Sequence, residues 1–197
     1  MTLRPEQAQA LDYLRRKGTQ APVDQLRGKL AATFADLEAL LAEVPAALRK
    51  TRPAPARWSV HEVVDHLVES HRPAVEQLRS LVAGRRPTTP AIPANLQSAD
   101  PWARPWTDLL AALRRIHGDF VAALDATSET TSLEPRAPVV MVVKVAGEAG
   151  DPRPLAWEED LDWKAFAQAF RSHTLGHRQQ ILSTLAALGH QAGAPPA

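Results

Sequence analysis

Residues 163–185, WKAFAQAFRSHTLGHRQQILSTL, decide how this chain is read. Trp163, Phe166, Phe170, His173, His177, Ile181 and Leu185 recur at steps of three and four, with Leu188 and the stop residue Gly189 beyond them. That period lays one stripe along an α-helix beginning near Asp162. Two histidines occupy stripe positions where a buried helix face ordinarily carries leucine. At a spacing of i, i+4 their side chains leave the helix about 40° and one turn apart. Both imidazoles can then reach one ion at roughly 2.0–2.1 Å. The alternative is two core histidines, each with its own hydrogen-bond partner. Burying two neutral imidazoles side by side without partners is costly, and one shared cation satisfies both. Thr174 stands where the zincin motif H-E-x-x-H has its glutamate, so that protease reading is excluded.

Upstream, three more stripes have the same period. Val23, Leu26, Leu30, Phe34, Leu37, Leu41, Val44 and Leu48 predict a long helix that Pro45 kinks or shortens. In ARWSVHEVVDHLVES (56–70), Ser59 and Glu62 form a capping box, with Trp58 placed to pack on Val63 as a hydrophobic staple. Val60, Val63, Val64, Leu67, His71, Val75, Leu78 and Val82 follow as far as Gly84, with a kink expected at Pro73. A third helix starts at Thr107 or Asp108 and turns Leu109, Leu110, Leu113, Ile116, Phe120 and Leu124 inward. Four such helices predict an all-α chain folded as a four-helix bundle.

The connections are less regular. Residues 85–105, RRPTTPAIPANLQSADPWARP, are too rich in proline to continue a helix and form a crossover or lid. Residues 137–146, APVVMVVKVA, are β-branched and read as one strand inside an irregular insertion over 130–160, between the third and fourth bundle helices. A short helix ended by Gly18 precedes the bundle. The whole, 1–197, reads as a single domain with its core over about 20–190.

Composition narrows the function. Lys+Arg number 23 against 22 Asp+Glu, and no basic block stands out, so no nucleic acid or polybasic membrane contact is expected. No apolar run approaches the roughly 20 residues that span a bilayer. The opening MTLRPEQAQALDYLRR has charge and glutamine where a signal peptide needs apolar residues, which predicts a cytoplasmic protein. With no cysteine, any metal must be held by nitrogen and oxygen.

A third ligand is needed, and His61, His66, His71 and His117 are the candidates. His71 lies within the second helix's stripe, whereas His66 is roughly 120° from its centre. Periodicity therefore favours His71, or His117 on the third helix. Glu62 and Asp65 keep open a site of two histidines and one carboxylate.

Two segments taken together resemble a known family. WSVHEVVDHLVESH (58–71), followed about a hundred residues later by HTLGHRQQI (173–181), is similar to the DinB-like superfamily. The closer likeness is to its YfiT branch of metal-dependent hydrolases and bacillithiol S-transferases. The motif residues are Trp58, Ser59, His66, His173, His177, Arg178, Gln180 and Ile181. The resemblance implies a bundle in up-down-down-up order and often a homodimer. It also implies a nickel or zinc site made by His66, His173 and His177, which leaves His71 as a core residue or a neighbour of the ligands. It fixes no catalytic base, and it covers neither the valine-rich strand nor the proline-rich loop.

Three protein nitrogens leave a coordination position open, as catalytic sites do. The chemistry implied is S-transfer from a low-molecular-weight thiol to a small-molecule electrophile, or hydrolysis. A thiol would have to come from outside, since the chain has no cysteine. Arg178 is a candidate anchor for a carboxylate of that thiol, or else one half of an ion pair. Gly176, between the histidines, either clears space for substrate or lets another helix approach. Trp102 and Trp106 either wall the pocket or pack elsewhere. The rival reading is a non-catalytic ligand-binding or interaction bundle in a stress response.

Overall fold

The structure is a computed structural model that describes residues 3–146 and 152–190. Residues 147–151 of the valine-rich insertion and the ends, 1–2 and 191–197, lie outside the described residues. Five helices and one antiparallel strand pair follow in order: α1 (Pro5–Leu14), α2 (Val23–Ala42), α3 (Val60–Val82), α4 (Trp106–Asp125), β1 (Ala137–Ala146), β2 (Pro152–Leu161) and α5 (Trp163–Ala187).

Local chemistry sets the helix ends. The Ser59 hydroxyl accepts from the Glu62 N–H at 3.3 Å, while the Glu62 carboxylate accepts from the Ser59 N–H at 2.8 Å, completing the expected capping box. Asp162 caps α5 by accepting from the N–H groups of Lys164 and Ala165. Gly84 and Gly189 take φ of 76° and 80° just past α3 and α5. There the N–H groups of Arg85 and His190 reach back to the carbonyls of Ser80 and Leu185, closing the last turns. The first bundle helix is shorter than its stripe: α2 ends at Ala42, and Pro45 opens a separate 3₁₀ turn over Ala46–Leu48. Pro73 lies inside α3 without dividing it.

Side-chain pairs fix the helix directions. His61 meets Trp106 and Arg79 bonds Asp119, start to start and end to end, so α3 and α4 run parallel. Lys164 donates to the Ala21 carbonyl at the head of α2 and Arg171 to that of Lys29, so α2 and α5 also run parallel. Arg27 pairs with Asp125 and Glu38 with His117, which sets α2 antiparallel to α4. His66 meets His177 while His71 meets Phe170, which sets α3 antiparallel to α5. The order is up-down-down-up. Consecutive helices α2 and α3 lie across a diagonal of the bundle, each packed on α4 and α5.

Two additions frame one side of the bundle. After α1 the chain continues through a π-helical turn over Arg15–Thr19, and buried Gly18 is not a helix stop. A Cβ at Gly18 would sit 2.7 Å from the Ala165 Cα, so glycine is there for close approach to the start of α5. Thr19 donates to the Asp162 carboxylate at 2.6 Å and ties the same two segments together. The valine-rich segment does pair within its insertion: β1 runs against β2 in register from Ala137↔Leu161 to Ala146↔Pro152.

Candidate metal centre

α3 is buried on almost every side: Val60 to Val68 are all buried, polar residues included. The reason is the proline-rich loop, which covers the helix face opposite the bundle core. Ser98 donates to Asp65 through both its backbone N–H (2.9 Å) and its hydroxyl (2.8 Å). Arg104 pairs with Asp65 and Glu69, and Gln97 donates to the Glu62 carbonyl. A residue 120° off the apolar stripe therefore points under the loop, not into solvent.

His66 is that residue. It is fully buried, and its Nε2 lies 3.1 Å from the His173 Nε2. The His177 Nε2 is also 3.1 Å from the His173 Nε2. Among the described residues, His66, His173 and His177 form a group whose candidate ligand atoms all lie within 4.8 Å of one another.

The far nitrogens determine what the near ones offer. His66 Nδ1 faces the Leu96 carbonyl at 2.7 Å, and a carbonyl only accepts, so the proton sits on Nδ1 and Nε2 presents a lone pair. His177 Nδ1 faces the Gln180 Oε1 at 2.9 Å with the same consequence. Two lone pairs are thus aimed at the His173 Nε2. One proton there serves two acceptors poorly. If instead His173 carries its proton on Nδ1, facing the His71 Nε2 at 3.2 Å, three lone pairs converge. A cation in that place satisfies all three, and the donor set fits a nitrogen-ligated transition metal.

Electrostatics agree. Burial, reinforced by the neighbouring imidazoles, pushes His173 well below the usual imidazole range and His177 down to about 4. Burial also lowers His66 against the opposing pull of the Leu96 carbonyl and Asp65. All three are neutral near pH 7, the form that ligates.

The other candidates fall elsewhere. His71, favoured by periodicity, meets His173 on the nitrogen facing away from the cluster, because its turn of α3 faces Phe34 and Phe170 in the core. His117 stacks on Phe34 with centroids 3.9 Å apart and bonds Glu38 at 2.6 Å, toward the α2 side. His61 sits beside Trp106. Glu62 is held by Arg52 and Ser59, and Asp65 by Arg104 and Ser98, so neither carboxylate joins the cluster.

A cavity of about 840 Å³ opens onto the three histidines, walled by α1, α3, β1, α5 and the proline-rich loop. Trp102 and Trp106 do not line it; the guanidinium groups of Arg52 and Arg49 lie over their rings instead. The tryptophan at the site is Trp58, whose ring lies 5.2 Å from that of His66 and 6.5 Å from that of His177. Arg178 is likewise absent from the cavity lining, because one residue past His177 is a 100° turn onto another face. The Leu96 carbonyl and the α1 wall had no signal in the sequence. One is a backbone group, and the other depends on where a separate helix docks.

The family model of the DinB superfamily matches residues 29–181. Among solved structures, YfiT from Bacillus subtilis, described as "a probable metal-dependent hydrolase with an unusual four-helix bundle topology", superimposes with a TM-score of 0.62. That match covers 86% of this chain and 89% of that one at 17% identity, a likeness that establishes the fold. No curated protein matches the chain.

Proposed function

We propose, from the premise that this chain belongs to the DinB superfamily, that it is a metal-dependent enzyme whose ion is held by His66, His173 and His177. One observation carries the reading: three Nε2 atoms converge while the distal nitrogens of His66 and His177 are occupied by acceptors. Zinc and nickel both suit three imidazoles. Bound there, such an ion supplies Lewis acidity, which lowers the pKa of a water or thiol in the open position.

The chain's own groups do the rest. The Leu96 carbonyl and Gln180 hold the His66 and His177 rings in the ligating tautomer, and His71 does so for His173. Trp58 shields the histidines on one side. The cavity admits a small molecule directly against them, which supports an enzyme over a closed structural site or a purely binding bundle. S-transfer is the reaction we favour, on the motif resemblance; with no cysteine in the chain, its low-molecular-weight thiol would come from outside. Hydrolysis is the second reading, supported by the description of the structurally similar YfiT. A homodimer belongs to the same proposal on the motif resemblance, and a cytoplasmic setting belongs to it on the reading of the sequence alone.

Protein purified without an affinity tag should hold close to one transition-metal ion per chain, and His177→Ala should lose it. The loaded protein should accelerate conjugation of a small thiol to a model electrophile, or hydrolysis of a model ester, and chelation should abolish that rate. Metal retained by the His177→Ala variant would overturn the assignment.

A further inference from the structure

Of five consecutive apolar residues, Val139 to Val143, none is fully buried: Val139 and Met141 pack partly on the core, and Val142 is 47% exposed. They belong to a two-stranded sheet whose other strand, β2, pairs them with Glu159, Glu158, Trp157, Ala156 and Leu155. All five line the cavity that leads to the three histidines. The opposite walls add Leu14 on α1 and Phe166 and Phe170 on α5, with Ile92 and Pro93 of the proline-rich loop closing one side, and their polar members, such as Gln9, Ser70 and Gln180, are mostly uncharged. Glu6 and Lys144 are the only charged side chains among the described lining residues apart from the histidines, and no arginine is among them. Away from the ion's own charge at the histidines, a ligand carrying carboxylates or phosphates along its body would find one ammonium and no guanidinium, and the desolvation of those groups would go uncompensated.

Gly176 adds an independent observation. It stands mid-helix between His173 and His177, where glycine weakens a helix. A Cβ placed there meets nothing within 4 Å, so close packing of a neighbouring helix is not the reason for it. It lines the cavity, and the missing side chain is cavity volume next to the ligands.

We infer that this site takes an uncharged, largely apolar small molecule, with its reactive group at the histidines and its body along β1, and that Gly176 sets how much bulk fits beside the reacting centre. That this molecule is a substrate rests on the metal-centre reading above; its binding does not. In S-transfer it would be the electrophile, and in hydrolysis the compound cleaved.

The test uses two fluorescent probes with the same ring system, the uncharged N-phenyl-1-naphthylamine and its anionic relative 1-anilinonaphthalene-8-sulfonate, titrated into zinc-loaded and metal-free protein. The uncharged probe should bind once per chain and at least tenfold tighter than the sulfonate. Gly176→Leu should weaken it at least tenfold in a protein that melts no lower than the parent. Val140→Asp, which puts a charge on the β1 wall, should weaken it similarly and serves if the leucine variant does not fold. Equal or tighter binding of the sulfonate, or uncharged-probe binding unchanged by both substitutions, overturns the inference. Zinc content measured on the same samples separates the two readings. One zinc per chain without preference for the uncharged probe sinks the substrate class and spares the metal centre. Preference for the uncharged probe in protein that retains no zinc after loading sinks the metal centre, and with it the claim that the molecule is a substrate.

Discussion

The Nε2 atoms of His66 and His173 lie 3.1 Å apart although their residues are 107 positions apart in the chain. The contact joins two antiparallel helices, and both rings are held from behind, His66 by a loop carbonyl and His173 by His71. That double support fixes the orientation of both rings.

The choice of third ligand is directly testable. His66→Ala should reduce bound metal from about one ion per chain to near zero, measured by elemental analysis after dialysis. His117→Gln, which alters a histidine bonded to Glu38 on the other side of the bundle, should keep the ion. Loss in the second variant and retention in the first would reverse the assignment.

His71 acts through His173. Replacing it with Phe keeps a ring in the Phe34–Phe170 environment but removes the nitrogen 3.2 Å from the His173 Nδ1. Partners behind a ligating histidine are worth about 10- to 100-fold in metal affinity. Competition with a chelator of known affinity should find a loss in that range, with the stoichiometry unchanged.

Metal-free protein should weaken as the pH falls. Burial holds His177 at about 4 and pushes His66, His71, His117 and His173 below the usual imidazole range. Above about pH 6.5 neither the folded nor the unfolded chain binds these protons. Below it the unfolded chain binds more, so stability is full above about 6.5 and is lost as the pH drops toward 4. His177 alone accounts for about 3 kcal/mol at the limit. Urea midpoints should be flat from pH 8 to 7 and fall steeply between 6.5 and 4; a midpoint that holds at pH 4.5 would contradict the buried neutral set.

Asp65 is the carboxylate that holds the loop over α3 at two points, Ser98 and Arg104. Arg104→Ala leaves fully buried Asp65 with Ser98 alone and should cost about 2 kcal/mol, discounted because Arg104 is part-exposed. The same variant should bind metal more weakly, since it loosens the loop that brings the Leu96 carbonyl to His66. Unfolding and metal titrations on one preparation check both; a full loss of stability with unchanged metal affinity would separate loop from ligand.

Gly18→Ala should destabilise by about 1–3 kcal/mol, because the new Cβ would meet the Ala165 backbone at 2.7 Å and the Lys164 carbonyl oxygen at 2.9 Å. A thermal melt should fall by several degrees. Since α1 walls the cavity, binding of an apolar probe should weaken alongside; an unchanged melt would mean that the α1–α5 approach is not tight.

The order of amino acids alone dictated the four bundle helices, the Ser59 cap, the start of α5 near Asp162, the glycine stops at 84 and 189, and the shared face of His173 and His177. All of these depend on neighbours within a turn or so along the chain. Packing in three dimensions settled the rest. A hydrophobic stripe reports which face meets the core and says nothing about what covers the opposite one. His66, off the stripe, became a buried partner because the 85–105 loop folds over α3, while His71, on the stripe, was turned toward Phe34 and Phe170. The motif likeness had named His66, but the periodicity could not. β2, with its prolines and acidic residues, carried no strand signal, because its conformation comes from pairing with β1 across the chain. The same holds for the cavity, whose walls come from segments far apart in the chain and brought together only when the bundle closes.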